Sequence, residues 1–401
     1  MRRMNKTEIS GLLALFFAAL LVFSGCGAKI PKEIEAFSLP FADENIVTTF
    51  SPVLPQQRYK VLKSENQRLM YKAMLLAIKD QAAETPAIPG DLTDDEASAV
   101  YDAVSDDYPQ FFEPSLTYKI VREQTSSGKV RSVLCQLNYI ESDPGKAAAR
   151  RQAFYDAVNK ILADSVSITD PLQRERFFYE KTIFAAKYDY KQADLLNIDL
   201  NTHTAYGTLV AGKAVCDGYA KAFALLCNYG GIEAWTESGY FEGTSHAWNG
   251  VKIDGKVYYC DPTVDDAESR YYGEDKNVMI NPDNPVTLTT LPDAATMLYF
   301  NLTRAEMSVN HVFKSESYPE DAVDSSAVTK NVLPRFSDKN ELSGWMTQTL
   351  SGAQAGSGYA VAVDFSIGKS EFASLISSAG VTSTCLFVQN GANTRYYIYV
   401  I

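Results

Sequence analysis

Three residues near the middle of this 401-residue chain have the types and spacing for acyl transfer: Cys216, His246 and Asp261. Cys216 opens a helix-like run, 214–229, that stops at Gly230-Gly231. Helix N-termini present unpaired N–H groups and a partial positive charge, and both favour the thiolate, the nucleophilic form of cysteine. His246 lies in Ser245-His246-Ala247-Trp248-Asn249, and Asp261 follows the strand-like run 256–260. Asp254-Gly255 between them is a strong two-residue hairpin signal. If that turn forms, Ile253 opposes Lys256, and Asp261 opposes Trp248. Side chains two apart share a face of a strand. His246 and Asp261 are therefore expected on the same side as diagonal neighbours, about 7–8 Å apart between backbones, with Cys260 on the other. A nucleophile, a base and a group that orients the base form the logic of cysteine acyl transfer.

The segment from Thr202 to Asp266 resembles the transglutaminase-like superfamily, which shares a papain-like cysteine-protease core. The resemblance rests on Cys216 with Gly218-Tyr219-Ala220, on His246-Ala247-Trp248-Asn249, and on Asp261-Pro262-Thr263. It implies that Cys216 attacks an amide carbonyl to give a thioester, that His246 carries the proton, and that Asp261 fixes its tautomer. It also implies an oxyanion hole containing the Cys216 N–H. In the animal transglutaminases an upstream Trp supplies the side-chain donor. No Trp precedes Cys216 here, which leaves Tyr188 or Tyr206. An amine as second substrate gives a crosslink and water gives hydrolysis. Hydrolysis of peptide or glutamine-type amide bonds is the favoured expectation. The alternative is a non-catalytic wall- or protein-binding lipoprotein that keeps the fold. No cofactor and no metal is expected.

Trp248, Asn249, Tyr206 and His203 are candidates for the substrate cleft, although Trp248 also suits the core and His203 a loop or cap. Gly218 reads as room for a substrate chain beside the backbone. His311 reads as structural or as part of a cleft rim, Cys227 as core, and Cys135 and Cys385 as buried strand residues. Asp94-Asp95-Glu96 and Asp265-Asp266 lack the spacing of a calcium loop and read as solvated surface.

The elements that must position these groups point to an α+β fold. A helix bearing Cys216 packs on an antiparallel sheet made by runs 232–240, 245–253 and 256–260. Upstream, 66–83 has apolar residues at helical spacing. Thr93 with Glu96 is a capping box for a helix through Val104. Runs 116–123 and 130–140 form a strand pair, and a long helix covers about 146–163. Asp170-Pro171 starts another, to about Lys187. Asp107-Tyr108-Pro109-Gln110-Phe111-Phe112 resembles a motif in the helical N-terminal part of bacterial lipoproteins of this group. Past about Asp321, runs 359–365, 370–378, 382–389 and 394–401 read as a strand, a helix and two strands, a small α/β unit with Asn390-Gly391 in its last turn. The expected domains are 52–165, a helical region with a strand pair; 166–320, the catalytic domain; and 325–401.

The N-terminus suggests a compartment. Arg2, Arg3 and Lys6 precede an apolar run, 11–23, that ends at Ser24-Gly25-Cys26. The run is short for a membrane span and has the order of a secretory signal. The Cys resembles the lipid-accepting residue of bacterial lipoproteins, although Phe23 stands where that pattern usually has Leu. Residues 1–25 are read as a signal, Cys26 as the lipidated residue, and 26–51 as a tether. The protein would then sit outside the cytoplasmic membrane, held by lipid. Net charge is −12, and becomes −14 once Arg2, Arg3, Lys6 and Glu8 are removed. So acidic a surface repels phosphate backbones, which argues against nucleic acid as partner and leaves a protein or peptide. Five cysteines besides Cys26, widely spaced, do not suggest a disulfide framework.

Overall fold

The computed structural model describes residues 29–189, 199–266, 295–329, 333–381, 383–390 and 393–400. The leader, Cys26, Gly391 and the side chain of Cys385 lie outside what is described. The chain divides into two compact units. One contains the residues up to Val47 with Leu54–Ala157, and the other Thr48–Val53 with Val158–Ile401.

In the first unit, α1 (Lys32–Ala36), α2 (Glu65–Lys79) and α3 (Asp94–Asp107) precede a hairpin of β1 (Pro114–Gln124) and β2 (Val130–Tyr139). Ser64 with Gln67 caps α2, and Thr93 with Glu96 caps α3, each a reciprocal capping box. Leu69, Met70, Met74 and Ile78 of α2 meet Val100 and Val104 of α3 and Val133, Cys135 and Leu137 of β2 in one core. Residues 29–47 are not the loose tether expected. Ile34 is fully buried in that core, and Phe37, Leu39 and Phe41 pack against it. Short apolar residues scattered between prolines carry no period, so their burial leaves no mark in the sequence. Asp107 accepts from the Arg58 and Tyr59 backbone N–H groups and the Tyr71 hydroxyl. Burial raises its pKa to about 6 against those donors. Asp107-Tyr108 is thus a structural knot.

The helix α4 (Pro144–Asp164) begins in the first unit and ends in the second, where α5 (Pro171–Ala185) starts at Asp170, whose carboxylate accepts from the Leu172 and Gln173 N–H groups. Residues 48–53 join this unit: Thr48 donates to the Tyr229 carbonyl, and Arg174 stacks over Phe50 at 4.2 Å. The helix α6 (Cys216–Tyr229) packs on a four-stranded antiparallel sheet. Its strands are β3 (Glu233–Phe241), β4 (Thr244–Ile253) and β5 (Lys256–Cys260), followed by α7 (Pro262–Asp265), α8 (Arg304–Met307) and β6 (His311–Phe313), in the order β5-β4-β3-β6. Asp254 and Gly255 both have positive φ, the hairpin turn expected, and Ile253 pairs with Lys256. Pro262 ends the ladder at Cys260, so Asp261 leaves the sheet instead of pairing with Trp248.

Gly239 lets the edge strand in. It pairs with both His246 and Phe313, and a Cβ there would collide with the Val312 carbonyl and the Trp248 ring. One face of the sheet buries Trp248, Tyr259, Val257, Leu298, Leu302 and Met307. Beyond it, β7 (Arg335–Phe336), α9 (Lys339–Leu350), β8 (Gly358–Val363), α10 (Lys369–Ser378), β9 (Ser383–Asn390) and β10 (Asn393–Val400) build a second sheet, order β7-β8-β10-β9. Leu342, Met346, Val361, Phe372 and Ile398 form its own core. It is nevertheless tied back: buried Arg395 of β10 donates to the Phe300 carbonyl at 2.7 Å, and Tyr397 joins the core of the first sheet.

Two glycine substitutions should separate close approach from helix entropy. Gly239→Ala should lower unfolding free energy by about 1–3 kcal/mol, the usual cost of overpacking. Gly344→Ala, within α9 and with open space around the new methyl, should raise it by about 0.5–1 kcal/mol. Urea unfolding followed by circular dichroism measures both.

Candidate active site

Cys216 is the first residue of α6, after extended Val215. The turn that precedes it is fixed by Val215 N–H donating to the Thr202 carbonyl at 3.0 Å. A Cβ on Gly218 would strike that same carbonyl. Gly218 therefore makes room for the chain's own Thr202, not for a substrate. Tyr219 anchors the helix by donating to the Ala186 carbonyl and to Asp266.

The motif around His246 divides by strand alternation. Asn249 is fully buried and donates to the Ala220 carbonyl of α6 at 2.8 Å, which ties β4 to the helix that Cys216 opens. Trp248, one residue away, is fully buried on the other side against Phe313 and His311. Neither residue offers atoms to a cleft, contrary to expectation, because the strand interior has elements packed on both faces. His203 and Tyr206 are half-buried. His203 Nδ1 lies 3.0 Å from both carboxylate oxygens of Asp217, the residue after Cys216. Tyr188 lies on a short strand paired with Ala214, two residues before Cys216.

Asp261 is the centre of the site. It is fully buried and accepts four hydrogen bonds. Oδ1 takes the Thr263 and Val264 backbone N–H groups at 3.0 and 3.1 Å, as the N-cap of α7. Oδ2 takes His246 Nε2 at 2.7 Å and His311 Nε2 at 3.0 Å. Its own N–H donates to the Tyr299 carbonyl. The Asp-Pro-Thr run thus has a physical reading: Pro262 starts the turn that lets one carboxylate cap a helix and orient an imidazole. Burial opposes ionisation of Asp261, but the His246 charge and the imidazole hydrogen bonds outweigh it and hold the carboxyl well below its usual range.

Burial likewise disfavours the charged form of His246, yet Asp261, with a smaller contribution from neighbouring Cys216, raises its pKa to about 10. Nε2 faces Asp261, so Nδ1 is the ring nitrogen left for the sulfur. Burial keeps His311 below the histidine range, with the His246 charge adding to it and Asp261 opposing. The site is therefore a line from sulfur through His246 to Asp261, with a second imidazole behind. His246, Asp261 and His311 also offer ligand atoms within 4.8 Å of one another, a donor set that suits zinc. Their Oδ2–N separations are those of hydrogen bonds.

Burial pushes the Cys135 thiol up to about 12 and those of Cys227 and Cys260 well above the usual value. Cys216 is the one partly exposed thiol among the described cysteines. Glu175, buried beside Cys260 and Asn301, is raised to about 8 by desolvation.

Residues 160–262 match the family model of the transglutaminase-like superfamily. The chain thus carries a transglutaminase-like domain, of the α+β, papain-like type, and Cys216, His246 and Asp261 all fall within the matched stretch. The mouse (Mus musculus) Kyphoscoliosis peptidase is 25% identical over 130 residues, 29% of this chain and 19% of that protein. The chain therefore matches about a fifth of that relative's length. Among solved structures, a TGase shares 16% identity over 37% of this chain and 52% of its own, with a TM-score of 0.26. A candidate cysteine protease from Cytophaga hutchinsonii shares 14% over 33% and 51%, with a TM-score of 0.24.

The electrostatics set the alkaline response. His246 titrates above its ordinary value, so its stabilisation is complete below about pH 6.5 and is lost as pH rises through about 10. Asp261, displaced downward, contributes above the ordinary carboxylate range and fails only as pH falls through its acid value. Between pH 6.5 and 10 the wild type should lose on the order of 4 kcal/mol that His246→Gln does not. Urea unfolding at a series of pH values tests this, and equal slopes in the two proteins would refute it.

Proposed function

We propose that this protein is a cysteine-dependent acyl-transfer enzyme that hydrolyses peptide or glutamine-type amide bonds. The observation that carries the reading is the 2.7 Å hydrogen bond between His246 and buried Asp261, with the Cys216 thiol beside that imidazole at the first residue of α6. The transglutaminase-like match over the same residues supports it. So does the peptidase name of the mouse relative, which favours water over an amine as acceptor.

The chemistry follows from the charges. The Cys216 thiolate attacks the amide carbonyl carbon, and a C–S bond forms as the carbonyl becomes an oxyanion. The Cys216 N–H, unpaired within the helix, faces that charge. The C–N bond breaks, and the His246 imidazolium gives its proton to the leaving amine. His246, now neutral, takes a proton from water, whose oxygen attacks the thioester. The C–S bond breaks, releasing the acid and restoring the thiolate–imidazolium pair. Asp261 stays ionised and holds the imidazole in place throughout. The charge-then-apolar leader and Cys26 support placing the enzyme outside the cytoplasmic membrane on a lipid anchor.

Incubation with a library of activated peptide and glutamine esters should leave a thioester adduct on Cys216, read by intact and peptide mass spectrometry. Cys216→Ser should lose the thioester, and His246→Ala should slow its formation by about 100-fold or more. A folded wild type that forms no adduct with any ester would refute the reading. Hydroxylamine should release the adduct from wild-type protein. Incorporation of a labelled amine faster than hydrolysis would shift the class to crosslinking.

A further inference from the structure

The residue of the site that no motif announces is His311. It lies on β6, which pairs with β3 so that His311 faces Phe241 across the ladder. Its ring is fully buried. Phe241, Trp248 and Tyr299 surround it at centroid distances of 4.8, 4.9 and 5.5 Å. Nε2 lies 3.0 Å from Asp261 Oδ2, and the side-chain amide of Asn310 meets Nδ1 at 2.9 Å, so with the ring proton on Nε2 it is the amide's N–H that must face Nδ1. That oxygen is the one His246 also uses. Asp261 is acceptor-only when ionised, so both imidazoles must present N–H to it.

A carboxylate held only through Oδ1 could still turn about the bond to its own chain and carry His246 with it. The second donor closes that freedom. Oδ1 is fixed by the start of α7, and Oδ2 by a ring that three aromatic side chains hold still. His246 is held less closely: Phe241 and Trp248 lie at centroid distances of 5.4 and 6.1 Å, its side chain is 9% exposed where that of His311 is fully buried, and its hydrogen bond to Oδ2 completes its bearing.

We propose that His311 is a positioning residue: by donating Nε2–H to Asp261 Oδ2 it fixes the oxygen on which His246 turns, and so keeps His246 Nδ1 on the Cys216 sulfur. The proposal rests on the acyl-transfer reading above and adds to it a requirement for a second histidine on β6.

The test needs no natural substrate. Iodoacetamide labelling of Cys216 at pH 6 is followed on the full-length protein, with peptide mass spectrometry to separate Cys216 from the other thiols. Wild type against His246→Ala asks whether the Cys–His pair exists, which tests the acyl-transfer reading itself. His311→Leu and His311→Gln then ask about positioning. His311→Leu should slow labelling about tenfold, in keeping with the loss of one charge-assisted hydrogen bond. His311→Gln, whose amide N–H reaches where Nε2 was, should stay within about threefold of wild type. A purely structural role would predict equal losses in both, since both fill the space without an aromatic ring. If His311→Leu does not fold, as judged by circular dichroism, His311→Asn replaces it, with an amide one carbon too short for Asp261. Labelling that depends on His246 but is unchanged in folded His311→Leu or His311→Asn overturns the positioning role alone. In wild-type protein, nitrogen-edited NMR of the histidine rings should show a slowly exchanging proton on His311 Nε2. Finding the proton on Nδ1 and none on Nε2 would overturn the proposal without any variant.

Discussion

Everything in the site depends on keeping one carboxylate ionised where water does not reach. An unpaired charge at that depth would be neutralised, and its protonation state would shift to make it so. Asp261 escapes this because each oxygen has two donors, from four different residues. Two are backbone N–H groups that the turn at Pro262 aims automatically. Two are imidazoles delivered by separate strands. The charge then sets the state of its neighbour. A buried histidine beside it is held protonated, and the protonated ring is the partner a thiolate needs.

The surrounding architecture serves those two deliveries. Asn249 fixes the distance between β4 and α6, so His246 and Cys216 come from elements joined by a buried hydrogen bond. Gly218 and Gly239 each allow a backbone carbonyl to come closer than a side chain would permit: Thr202 at the start of α6, and Val312 on the edge strand. Trp248 fills the space behind His311. These residues contact the machinery and the core together, which is why a motif such as His-Ala-Trp-Asn mixes one chemical residue with three that pack.

What could be read in the sequence was local. The Asp254-Gly255 turn gave the hairpin register, and the register put His246 and Asp261 within reach. The helix start gave Cys216 its place, and the capping boxes at Thr93 and Asp170's first-turn proline marked helices within a few residues. What could not be read was the return of the chain from beyond residue 294. His311 pairs with β3 seventy residues upstream in sequence, on a three-residue strand with no alternation to betray it. Nor does burial of both faces of β4 show in its residues, so Trp248 and Asn249 looked like a wall. Residues 29–47 failed for a related reason: Ile34 is buried by elements that come later, and nothing nearby in sequence says so. The helix α9, with Gly344 and several polar residues inside it, was hidden by poor local propensity.

Arg395 carries a consequence for how the molecule is put together in time. Its guanidinium ends on the Phe300 carbonyl, and the neighbouring Tyr299 carbonyl receives the Asp261 N–H. The segment that steadies the central carboxylate is therefore itself steadied by a strand synthesised 95 residues later. A nascent chain that has made Cys216, His246 and Asp261 but not yet β10 has its reactive groups without this brace. Order of synthesis then doubles as a safeguard: Cys216 and His246 meet a fully supported Asp261 only after β10 has been delivered, and a chain interrupted before β10 would hold that carboxylate unsteadily.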